Sequence, residues 1–165
     1  MTKSQEIIAE IKAEIPKYIK QIGEFYVKNM QGEHHLICHY TAKEYHTCAA
    51  CGNPKIKEIF VVANRKGEQF EIGNVCILSI GNENILYRFK SMEQKLENIT
   101  KNAKAIDILD GFLNAIENDT SPIWVSKQGI KRLTDMQERM CDGLNPLKSQ
   151  WRLFYSYMKK IAEAC

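Results

Sequence analysis

No apolar run in this sequence approaches the roughly 18 residues that a membrane helix requires, and Met1 to Glu10 is polar and charged where a signal peptide would be apolar. A membrane span is therefore not expected, and a cytoplasmic protein is. Charge of one sign is also scarce. Lys and Arg number 23 against 20 Asp and Glu, a net +3, which is too small an excess to argue for a nucleic-acid partner by itself. Any such argument has to be local. The sequence has no phosphate-cradling Gly-rich loop, no His-Glu-x-x-His and no Gly-x-Ser-x-Gly, so the common catalytic signatures are missing and no catalytic residue is assigned. Repeats and low-complexity segments are lacking too. With 44% apolar residues in 165, the composition is that of a globular protein that can bury a sizeable core without staples.

Six cysteines are present, and their distribution says more than their number. Cys38, Cys48, Cys51 and Cys76 share one segment with all four histidines, His34, His35, His39 and His46. Cys141 and Cys165 lie outside it and read as an ordinary buried thiol and a terminal residue. Without a secretory signal, a Cys-x-x-Cys among histidines reads as a metal site rather than a disulfide framework. Cys48-Ala-Ala-Cys51-Gly52 has the form of a zinc knuckle: two thiolates two residues apart chelate one ion at a tight turn, and the glycine admits the backbone geometry that follows. Gly73-Asn74-Val75-Cys76 delivers a third thiolate where a helix begins. The fourth ligand is open among Cys38, which would complete a four-cysteine site, His39 and His46. Ser79 and Ile80 occupy the next helical turn after Cys76, so a treble clef with two ligands on its helix is not satisfied. A fourth position holding water would make a catalytic zinc, because bound water becomes a nucleophile near neutral pH. His34, His35, Cys38 and His39 could also serve acid–base or nucleophilic chemistry, but metal ligation accounts for the same residues more simply. Buried reduced thiols beside a solvated histidine loop are the plainest alternative.

Periodicity supplies the frame around this cluster. Ile8, Ile11, Ile15, Tyr18, Ile19, Ile22, Phe25 and Tyr26 recur at helical spacing, with Thr2 and Gln5 as a capping box, Pro16 as a kink or break, and Gly32 as the end. Leu36 to Thr41 has modest strand character. Ile56 to Ala63 and Glu68 to Ile72, joined by Asn64-Arg65-Lys66-Gly67, read as a β-hairpin. Helical spacing then returns in Ile85 to Leu96, with a break near Gly81, and separately in Ile106 to Ile116. Ser126 is a candidate cap for a helix carrying Leu133 and Met140, and Asn145-Pro146 opens a last helix carrying Trp151, Phe154 and Met158. The expected fold is α+β and mostly α-helical. An N-terminal amphipathic helix (1–33) precedes a zinc-stabilised β-hairpin module (34–80) and a helical region (81–165), with an internal boundary at 117–125.

The run Cys48-x-x-Cys51-Gly52, strand, Lys-Gly turn, strand, Gly73-x-x-Cys76 resembles the small zinc-ribbon or treble-clef-like modules of phage and other mobile-element proteins. The resemblance covers about 40 residues and implies a structural zinc, with no activity attached, since function belongs to sites placed on folds. Two expectations follow. One is nucleic-acid binding, alone or in a nucleoprotein machine, through Lys131, Arg132, Lys148, Arg152 and Lys159 on the last two helices and Arg65 and Lys66 at the hairpin tip. The other is a protein partner, met as an adaptor or as an inhibitor of a larger complex, through an apolar helix stripe. Such charges also serve as the ordinary solvated faces of amphipathic helices.

Overall fold

The computed structural model of the chain describes every residue except Ser79, Gly81, Asn82 and Cys165; the expected break near Gly81 and the terminal cysteine lie outside the described residues. The fold is α+β and mostly helical. Helix α1 (Lys3–Ile22) leads into strands β1 (Glu24–Tyr26), β2 (Glu33–His46), β3 (Ile56–Asn64) and β4 (Gln69–Gly73), followed by α2 (Asn74–Leu78), α3 (Glu83–Glu117), α4 (Lys127–Cys141) and α5 (Lys148–Ala164). The strands form one antiparallel sheet in the order β1-β2-β3-β4. The chain divides into two compact units, one of residues 12–93 and the other of residues 1–11 with 94–165, so that α1 and α3 each contribute to both.

In the first unit the β3–β4 pairing follows from alternating apolar residues around a tight turn. Phe60 faces Ile72 and Val62 faces Phe70 across the ladder. Gly67, with φ of +84°, supplies the left-handed residue that this turn needs. β2 is longer than its weak pattern suggests because it pairs with β3 from His34 to His46, interrupted by irregularities between Leu36 and Cys38 and between Thr41 and His46. Leu36, Ile59, Val62, Ile72, Ile77 and Phe89 are fully buried together in the core of this unit.

Helix α1 departs from the expected bounds at its C-terminal end. It ends at Ile22, and Gly23, with φ of +67°, turns the chain so that Phe25 is buried from β1 rather than from a helix. Nor does Pro16 divide the helix, which runs through it without interruption.

In the second unit the capping box forms as expected. The Thr2 N–H donates to Gln5 Oε1 at 3.0 Å and the Gln5 N–H to Thr2 Oγ1 at 3.4 Å. The two expected helices between Ile85 and Ile116 are instead one continuous helix, α3. Ser126 caps α4 by accepting from the Gly129 N–H at 3.0 Å. α4 meets α5 closely at Gly129, where a Cβ would lie 2.5 Å from the Tyr157 hydroxyl. Ile99, Ile106, Leu109, Leu133, Met136 and Met140 are the fully buried apolar side chains here.

Candidate metal centre

β2 ends at His46, and the next residues make the knuckle. The Cys48 N–H donates to the Asn53 carbonyl at 2.9 Å and the Gly52 N–H to the Cys48 carbonyl at 2.8 Å. Gly52, with φ of +76°, allows the chain to reverse there. The Ala49 N–H donates to the Glu71 carbonyl at 2.8 Å, which ties the knuckle to β4. The opposite wall is Gly73 and the short helix α2 that carries Cys76. The sulfur atoms of Cys48, Cys51 and Cys76 thereby lie within 4.8 Å of one another. Cys48 Sγ and Cys76 Sγ are 3.7 Å apart, close to the separation of about 3.8 Å that two thiolates take on a tetrahedral zinc with Zn–S bonds of about 2.3 Å.

Two of the thiols, Cys48 and Cys76, differ in how readily they ionise. Cys48 is 1% exposed. Burial pushes its thiol up, but the backbone N–H groups of Gly73, Cys51 and Ala50 and the Cys51 side chain outweigh that, and it ionises below the usual range. The Gly73 N–H donates to Cys48 Sγ at 3.4 Å. Cys76 is pushed up to about 12 by burial and by its hydrogen bonds to Cys51 and Cys48. Burial is the first cause of the Cys76 shift and the neighbouring thiols add to it; a bound divalent cation would offset both, because it favours the deprotonated form of every ligand at once. The donor set and spacing fit zinc, and a soft three-sulfur set suits thiophilic metals generally.

Cys38, His39 and His46 are not in this group. The irregularity after Leu36 changes the side-chain alternation of β2, so that Leu36 and His39, three apart, are both buried while Cys38 is half-buried between them. His39 is packed on Phe60 with ring centroids 4.6 Å apart. Its backbone N–H donates to Glu93 Oε2 at 2.9 Å, its Nδ1 is 3.6 Å from the same oxygen, and its buried Nε2 has no hydrogen-bond partner. Burial and the Glu93 carboxylate raise the Cys38 thiol. His46 Nδ1 is 2.6 Å from Glu71 Oε2, and the Tyr40 hydroxyl donates to Glu71 Oε1 at 2.5 Å. That tyrosine is pushed up to about 12, first by this hydrogen bond.

The supporting groups Gly73 and Glu71 were not assigned from sequence. Only the glycine of Gly-x-x-Cys signalled one of them, and nothing in the sequence pointed to Glu71.

The basic residues fall into two groups. In the first unit, Arg65 is held by Glu24, with Nη2 to Oε2 at 2.9 Å, and by Glu33, and it lines with Lys66 an open cleft of about 750 Å³. In the second, Lys131, Arg132, Lys148, Arg152 and Lys159 are all exposed. Lys159 is 3.8 Å from Glu163, and among the described residues the other four have no ion-pair partner. Tyr155, also exposed, stacks on Trp151 with centroids 5.6 Å apart at 20°. No described helix is long and apolar enough to cross a membrane.

Comparison with profiles of known families, with curated proteins and with solved structures gives no match.

Proposed function

We propose that this chain is a zinc-binding protein whose second unit binds nucleic acid, with Cys48, Cys51 and Cys76 as zinc ligands and the α5 stripe as the phosphate-contacting surface. The observation that carries the nucleic-acid reading is the basic stripe on α5. Lys148 and Arg152, one turn apart on α5, and Lys131 and Arg132 on α4 are exposed and have no ion-pair partner among the described residues, and α5 carries four basic residues against one acidic. Charges left unpaired and at helical spacing can neutralise successive phosphates, and the exposed Tyr155 beside them offers a face on which a base can stack. Zinc holds the knuckle against β4 and α2, a structural role separate from this surface.

A protein partner is the second reading, favoured by the 83% exposure of Trp124, an aromatic anchor of the kind that interfaces bury. One experiment separates the two. Oligonucleotide affinity, measured by anisotropy at two salt concentrations, falls steeply with salt if phosphates are contacted. Binding that is absent or indifferent to salt returns the function to a protein partner.

A further inference from the structure

We infer that His46 is the fourth ligand of the zinc centre, through Nε2, and that Glu71 is the carboxylate that orients it. The inference rests on the metal reading above and concerns how that site is closed. A structural zinc takes four protein ligands at tetrahedral positions, and the sulfurs of Cys48, Cys51 and Cys76 fill three of them.

A ligating histidine gives its second ring N–H to a carboxylate, a carbonyl or a water, which fixes the tautomer and raises the basicity of the nitrogen that meets the metal. His46 carries that arrangement. Its Nδ1 is 2.6 Å from Glu71 Oε2, and since a carboxylate only accepts, the neutral ring holds its proton on Nδ1 and its lone pair on Nε2. Glu71 is fixed in turn by the Tyr40 hydroxyl, which donates to its Oε1 at 2.5 Å. The same residue holds the knuckle, because its backbone carbonyl accepts from the Ala49 N–H at 2.8 Å. Imidazole and knuckle are therefore anchored to one residue of β4, two before the Gly73 whose N–H donates to Cys48 Sγ.

The chain allows the reach. His46 stands two residues before Cys48, within about 7 Å along the backbone, and the side chains of His46 and Glu71 are both partly exposed, so the ring is at a rim and not locked in the core. It lies outside the 4.8 Å group that the three sulfurs make. Zn–S bonds of about 2.3 Å and a Zn–N bond of about 2.1 Å place a ligating nitrogen about 3.6 Å from each sulfur, so coordination draws the ring inward, and Glu71 follows through its side-chain torsions. His39 differs. Its Nδ1 is 3.6 Å from Glu93 Oε2, too long for a hydrogen bond, and its ring is packed on Phe60 in the core.

The test loads full-length protein with Co(II) in place of zinc and records its visible spectrum. Wild type should show the ligand-field bands of a tetrahedral centre with three sulfurs and one nitrogen. His46→Ala should move those bands and weaken cobalt binding, while His46→Cys should restore a tetrahedral centre with added thiolate-to-metal charge-transfer intensity. Cys38→Ser should change neither bands nor affinity. Glu71→Ala should keep the wild-type bands but weaken cobalt binding by about 10–100-fold, and Glu71→Gln, which keeps an acceptor for the Nδ1 proton, by less. A four-sulfur spectrum in the wild type, or bands that His46→Ala leaves in place, overturns His46 as a ligand while leaving the three-cysteine site standing. Equal affinity in wild type and Glu71→Ala overturns the role of Glu71. No cobalt uptake by the wild type overturns the metal reading and this inference with it.

Discussion

A Cβ added at Gly73 would stand 2.9 Å from Ile56 Cγ2, and the N–H of the same residue donates to Cys48 Sγ. Gly52 is the useful contrast, because nothing lies within 4 Å of its missing Cβ and only its φ of +76° demands glycine. Gly52→Ala therefore meets backbone strain alone, about 1–2 kcal/mol. Gly73→Ala has to push Ile56, a buried side chain, at about 1–3 kcal/mol, and in doing so shifts a donor to the metal ligand. Both variants should unfold at lower urea, and Gly73→Ala, which shifts a donor to Cys48 Sγ directly, should weaken zinc binding in a chelator competition by more than Gly52→Ala does. Equal zinc affinity in the two would separate Gly73 from the site.

The cysteines themselves make a stronger prediction. Wild-type protein should hold about one zinc per chain by elemental analysis, and Cys48→Ser or Cys76→Ser should lose it together with several kcal/mol of stability, part of the roughly 10 kcal/mol that structural zinc supplies to small modules. Unchanged melting in both would sink the metal reading. Two thiolates of this site were legible from a Cys-x-x-Cys-Gly run and the third from Gly-x-x-Cys, since short spacing and glycine are local signals. The fourth position was not legible. Whether Cys38 or His39 faces inward is set by the irregularity between Leu36 and Cys38, which arises from pairing with β3 about 25 residues away in sequence.

At the scale of elements, Asp107 of α3 caps the start of α1. Its Oδ1 accepts from the Ser4 N–H and its Oδ2 from the Ser4 hydroxyl, both at 2.8 Å. In sequence this aspartate is one of two, with Asp110, on a helix face, and nothing local marks it as a cap. Partial burial raises its carboxyl, but the bonds from Ser4 outweigh that and hold it below the usual range. The sign follows from the lowered value: the cap contributes fully above the unfolded pKa of about 3.9 and is lost as pH falls through the lower folded one. Asp107→Ala should cost about 0.5–2 kcal/mol at neutral pH. The difference between variant and wild type should shrink as pH approaches 3 and below, in urea titrations run at several pH values. A constant difference across that range would mean that the carboxylate is not the capping group.

Elements with local punctuation, namely the Thr2–Gln5 box, the Ser126 cap and the turn at Gly67, were readable from sequence for the reason that their determinants lie within a few residues. β1 and the unbroken α3 were not. Phe25 and Tyr26 continue the apolar spacing of α1, and only Gly23 marks the exit. Along α3 the buried face changes from Leu86 and Phe89 in one unit to Ile99, Ile106 and Leu109 in the other, so the apolar stripe does not keep one phase and reads as two helices.

For the whole molecule, a net charge of +3 is spread over both units, and the local excess lies along α5, which carries Lys148, Arg152, Lys159 and Lys160 against Glu163 alone. Matched pairs at a surface contribute little to stability, and unmatched ones in a row repel one another slightly, so folding does not require the α5 arrangement. Lys148→Gln and Arg152→Gln should accordingly leave the melting temperature and zinc content unaltered. If α5 contacts a single strand, each substitution should lower the slope of log affinity against log salt by about 0.7, and against duplex by about 0.9. Tyr155→Ala should weaken single-strand binding by about 1–3 kcal/mol with no change in that slope, because stacking releases no counterions. A slope unaffected by both charge substitutions would place any nucleic-acid surface elsewhere. A flat salt response in the wild type would transfer the weight to a protein partner, with Trp124→Ala as the variant that should then lose binding.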